Sequence, residues 1–124
     1  MAAIKLITIT LPPASPKLHA HAKGHWRSKA NATKSLRVLA AVLSKQSRTK
    51  LTGCVKVHYM FFVPDRRRRD EANLIQSCKP AIDGVVDAGV IEGDHWEKLT
   101  TGSVRVSIDK NDPRVVLIFE EVAT

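Results

Sequence analysis

The sequence predicts an α/β (α+β) domain, a small mixed β-sheet with two main helices in the order β-α-β-α-β-β. Three observations carry this. Segments that alternate apolar and polar residues occur near both ends and in the middle of the chain, the period-two mark of strands. Between them lie two segments with apolar residues at three- and four-residue steps, the mark of amphipathic helices. Prolines and glycines fall at the borders, where strands and helices stop. At 124 residues the chain suits one core and is short for two, so residues 1–124 read as a single domain.

In order, "AIKLITITL" (residues 3–11) is β-branched and alternating, hence a strand, ended by Pro12, Pro13 and Pro16. "KLHAHAKGHWRSKANA" (17–32) lacks apolar periodicity and reads as a basic, exposed loop. From about Ala32 to Lys45, Leu36, Leu39, Ala40 and Leu43 make one stripe of a helix with a basic outer side. "CVKVHYMFFV" (54–63) is a strand with Val55, Val57, Tyr59, Phe61 and Val63 on one face. In residues 70–89, Leu74, Cys78, Ala81, Ile82 and Val85 share a helical face. Asp70 stands as N-cap or first-turn residue, and Gly89 suits the C-terminal cap. Pro80 should kink or divide this helix, because it lacks an N–H and clashes with the preceding turn. "GSVRVSI" and "RVVLIFEEV", joined by "DKNDP", suggest a closing β-hairpin.

Lys and Arg number 20 against 12 Asp and Glu, a formal charge of +8, while 44% of residues are hydrophobic. Such a chain folds and attracts polyanions, nucleic acid foremost. No apolar run reaches the roughly 18 to 20 residues of a membrane span, and the amino terminus lacks a secretory pattern. A cytoplasmic protein with no membrane partner is expected. Cys54 and Cys78 lack zinc-ligand spacing and read as small buried apolar side chains, with a disulfide as the alternative.

The chemistry gathers around "VPDRRRRDEANLI" (63–75), where Arg66, Arg67, Arg68 and Arg69 stand between carboxylates. Asp94 follows Asp70 by 24 residues, and the packing decides whether the two meet. Paired carboxylates beside arginines suit phosphodiester hydrolysis: Mg²⁺ takes one or two carboxylates, keeps waters and accepts phosphate oxygens. Arginines then hold flanking phosphates that the carboxylates would repel. The same residues also suit a solvated turn with Asp70 as a simple cap. Lys79 either stabilises charge on the phosphate or pairs with Asp83 at the i, i+4 spacing. His19, His21 and His25 have no fourth ligand at a fixed spacing and read as loop residues near phosphate. Trp26 stacks on a base or packs on its own domain, and His95 and Trp96 read as local packing.

"PDRRRRD" followed by "ANL", then "KPAIDGVVDAGVIEGD", resembles the RusA family of crossover junction endodeoxyribonucleases, small Holliday junction resolvases of bacterial phages and prophages. The likeness is densest from Pro64 to Asp94 and covers most of the chain. It implies a homodimer that binds four-way DNA junctions and makes paired nicks with Mg²⁺, for which Mn²⁺ could substitute, and no small-molecule cofactor. A two-fold dimer also supplies two symmetric sites for the two nicks. By the resemblance, Asp70, Asp94 and Lys79 are catalytic; Asp70 and Asp94 hold the metal, with Glu92 or Glu71 as auxiliary acids. Asn73 is the motif's structural asparagine. Arg66 to Arg69, with Lys17, Lys23 and Arg27, would hold phosphates.

Ala72 stands where the family has a second aspartate. Glu71 is turned about 100° from it around a helix, so Glu92, in a turn, is the better substitute. This substitution motivates a second reading, a junction-binding module of the same fold without cleavage. A third, an RNA-binding accessory domain, has less support because aromatics are 5% of the chain.

Overall fold

The structure, a computed structural model, describes residues 4–15, 18 and 26–122. Their elements are β1 (Leu6–Leu11), α1 (Trp26–Gln46), β2 (Val55–Val63), α2 (Glu71–Gln76), α3 (Lys79–Asp87), β3 (Leu99–Ile108) and β4 (Arg114–Glu121). The fold is mixed α+β, one four-stranded sheet in the order β1-β4-β2-β3 with helices against it.

β2 lies inside the sheet, antiparallel to β4 and parallel to β3. Its alternation is that of the sequence: Val55, Val57, Tyr59, Phe61 and Val63 are buried, and the residues between them are half-buried. A parallel neighbour needs a long crossover, which α2 and α3 provide. In β1 the same alternation buries Ile7, Ile9 and Leu11. Across from them, Val115, Leu117 and Phe119 of β4 complete that layer of the core.

The expected closing hairpin is not formed. β4 pairs with β1 and β2, and β2 separates it from β3. The linking turn passes over the end of β2, where Asp109 N–H donates to Val63 O at 2.8 Å and Arg114 Nη1 reaches Asp109 Oδ2 at 2.8 Å. Burial explains the choice. β4 carries three fully buried apolar residues and needs a neighbour on each side, whereas most of β3 is exposed and tolerates the edge.

α1 begins at Trp26, six residues before the expected start at Ala32, and this corrects the loop reading for residues 26–32. Trp26, Arg27, Lys29, Ala30 and Asn31 are exposed, so these first turns project past the core and carry no apolar stripe to betray them. Lys17, His19, His21, Lys23 and His25 lie outside the described residues.

The second predicted helix is divided, as Pro80 requires. α2 ends with Ser77 as C-cap, and α3 starts from Cys78 with Pro80 in its first turn. Leu74, Cys78, Ala81, Ile82 and Val85 are all buried. Gly89, at φ +73° just past α3, takes the left-handed conformation that closes a helix without a Cβ penalty. Both cysteines are free; Cys78 is buried, with its thiol pushed up to about 12, whereas Cys54 is half-buried, short of the burial expected of it. No helix among the described residues is long and apolar enough to cross a membrane.

Candidate functional site

The arginine run forms the loop from β2 into α2, and Asp65 organises it. Asp65 Oδ1 accepts from Arg67 N–H at 2.9 Å and from Arg69 Nη2 at 2.9 Å. Arg69 Nη1 also donates to the carbonyls of Asp65 and Arg67. The Arg67 N–H foremost, then Arg69, holds the Asp65 carboxyl below the usual range. Arg69 thus shapes the loop through these bonds. Arg66, Arg67 and Arg68 are exposed and, among the described residues, make no ion pair.

Asp70 is the N-cap of α2, its Oδ1 accepting from Ala72 N–H at 3.0 Å. This favours the cap alternative read from the sequence. Glu71 is exposed, and Asn73 is half-buried. Asp70 and Asn73 border a hollow of about 560 Å³ that Arg67, Arg68, Arg69 and Arg114 also line. Arg114 lies over the Phe62 ring, 3.9 Å from its centre.

Asp94 meets Lys79. The Lys79 ammonium donates to Asp94 Oδ2 and, at 2.8 Å, to Asp83 Oδ1 one turn along α3. The pairing with Asp83 read from the spacing is therefore formed, and Asp94 joins it. Asp70 is nine residues before Lys79, about 13 Å at the helical rise, and among the described residues no bond joins it to the cluster. Asp83 is the residue that sequence reasoning left outside the site. Its signal was the i, i+4 spacing, which by itself marks only a surface pair.

Burial works against the Lys79 charge, but the bonds to Asp83 and Asp94 outweigh it and raise the pKa. The Lys79 hydrogen bond, opposed by burial, holds the Asp94 carboxyl below its ordinary value. A carboxyl depressed by folding stabilises the fold above the ordinary Asp value, near about 3.9. That contribution disappears as pH falls through the depressed value. An NMR titration is expected to give Asp94 a midpoint below about 3.9, moving up in Lys79→Met; an ordinary midpoint in the wild type would contradict the pairing.

Glu92 faces away from this cluster. It accepts from Gly53 N–H at 2.8 Å and pairs with Lys98 at 3.0 Å, and these bonds, in that order, lower its pKa. Trp96 follows in a turn in which His95 O accepts from Lys98 N–H at 2.8 Å and Leu99 N–H at 2.9 Å. Trp96 is 80% exposed, which overturns the expectation of local packing. Trp26 is also exposed, with the Arg27 guanidinium 5.4 Å from its ring centre.

Among the described residues no group of three or more His, Cys, Asp or Glu converges as a metal site. Asp83 and Asp94 do share one cation, the Lys79 ammonium, and a pair of hard carboxylate donors suits Mg²⁺. The fit extends to these two, and Asp70, Glu71 and Glu92 stand apart from them.

No family model matches the chain. An uncharacterized protein of Xylella fastidiosa is 30% identical over 94 residues, 71% of this chain and 61% of the relative's own length. The chain therefore spans less than two thirds of that relative, whose description assigns no activity.

Proposed function

We propose that the protein is a Mg²⁺-dependent endodeoxyribonuclease that nicks four-way DNA junctions as a homodimer, as its resemblance to the RusA family implies. The observation that carries this reading is the pair of carboxylates, Asp83 and Asp94, closed on the Lys79 ammonium at the surface of a chain of formal charge +8. A site with that charge order attracts a cation between carboxylates and a phosphate to the ammonium.

Asp83 and Asp94 would hold the ion, which when bound polarises the phosphate and makes an attacking water more acidic. Lys79 would then turn to the phosphate and stabilise the negative charge that develops on its oxygens. Hydrolysis forms a phosphorus–oxygen bond to water and breaks one ester bond, with the water's proton passing to the leaving oxygen through solvent. Arg66, Arg67 and Arg68 supply exposed charge for neighbouring phosphates. Arg69 and Asp70 shape the loop and helix start that present them.

A second reading, junction binding without cleavage, is favoured by Ala72 together with the commitment of Asp70 to the cap. A synthetic four-way junction incubated with the protein and Mg²⁺ separates the two. Paired nicks are expected. Salt-sensitive binding with no nicks, followed by a large gain of cleavage in Ala72→Asp, would transfer the assignment to the binding module. Absence of both binding and nicking would overturn both.

A further inference from the structure

Trp96 is the most exposed large hydrophobic residue among those described, at 80%. Its indole makes no ring contact or hydrogen bond with another described residue. The turn beneath it is nevertheless held firmly. His95 O takes two backbone N–H groups, Lys98 is fastened to Glu92, and Glu92 is fastened to Gly53 N–H. An aromatic side chain is thus displayed to solvent from a pinned frame, at low conformational cost for a flat ligand that covers it. Its position is specific. It stands two positions after Asp94, at most about 7 Å of backbone, and successive phosphates of one strand rise about 3.4 Å along a duplex.

We infer that Trp96 is a nucleobase-stacking platform, contacting a base within about two nucleotides of the phosphate held at Lys79, Asp83 and Asp94. The inference rests on the nuclease reading for its ligand and adds a subsite to it. Every base presents a π-face, so the contact tolerates any sequence, and it gains most where a base is already unstacked. The crossover of a four-way junction offers such bases. Trp96 would therefore favour branched or unpaired DNA over intact duplex, by a contact to the base itself that adds to the phosphate contacts.

The test uses the full chain and four-way junctions carrying 2-aminopurine at single positions within two nucleotides of the crossover. Wild-type protein should change the probe's fluorescence at one or two positions, Trp96→Phe should keep most of that change, and Trp96→Ala should abolish it. Junction affinity should fall roughly tenfold or more in Trp96→Ala, with little change for intact duplex. If the wild type binds and nicks the junction but Trp96→Ala matches it in affinity and probe signal, the inference fails and the nuclease reading stands. Loss of self-association in Trp96→Ala with an unchanged probe signal would overturn it in favour of a protein contact. Failure of the wild type to bind junction DNA would overturn both.

Discussion

Gly84→Ala is expected to cost about 3 kcal/mol, roughly 10 °C in unfolding midpoint for a domain of this size, or to prevent folding. Gly84 lies where α3 crosses α1. A Cβ there would overlap the Arg37 carbonyl oxygen and stand 3.1 Å from Ala41 N. Both obstacles are helix backbone, which cannot swing aside as a side chain can. The helices are also held together at this point: Arg37 Nη2 donates to Asp87 Oδ1 at 2.8 Å and Arg37 Nε to Asp87 Oδ2. Relief of the clash must therefore come from moving α3 off α1. That motion opens the core beneath Val85 and Ala81, both fully buried, and displaces Asp83 and Lys79 on the same helix. Thermal unfolding followed by circular dichroism checks this; an unchanged midpoint would mean that the helices do not cross so closely.

Lys79→Met is expected to reduce junction cleavage by about 100-fold or more, the usual cost of removing one preorganised electrostatic group. Folding should be little affected, because the ion pairs are exposed and such pairs contribute about 0–1 kcal/mol. Met keeps the apolar stem over α3 and removes only the ammonium. Asp83 and Asp94 would then face each other uncompensated and free to take a cation, so the variant should need less Mg²⁺ to reach half-maximal activity than Lys79→Arg does. Cleavage rates measured across a Mg²⁺ titration, alongside unfolding midpoints, test this. A rate equal to wild type would reduce Lys79 to a surface pair with Asp83.

What the sequence disclosed follows from which forces are local. The strand over residues 54–63 and the shared face of Leu74, Cys78, Ala81, Ile82 and Val85 are periodic patterns, and each is realised in burial. Pro80 divided its helix and Gly89 closed it, since both act through their own backbone. Strand order is a property of the whole sheet. The short link between β3 and β4 suggested a hairpin, but the apolar load of β4 outweighed the closeness in sequence. The early turns of α1 were hidden because their residues are mostly exposed and carry no apolar stripe.

The site divides in the same way. Asp70 as a cap and Lys79 with Asp83 were legible as local spacings. The approach of Asp94 to Lys79 depends on how the turn after α3 folds back, and that turned an ordinary i, i+4 pair into a cluster of three. Arg69 illustrates the reverse: one of four arginines in a row, it is distinguished only by reaching back to Asp65.

Asp94→Asn, compared with wild type for both binding and cleavage of a four-way junction in Mg²⁺, tests the assignment most directly. The substitution keeps the side chain's shape and a hydrogen-bond acceptor for Lys79 but removes the charge. Cleavage should fall at least about 100-fold while junction affinity stays within a few-fold of wild type, since the exposed arginines are untouched. Paired nicking by Asp94→Asn at the wild-type rate, or an intact junction at saturating wild-type protein, would contradict it.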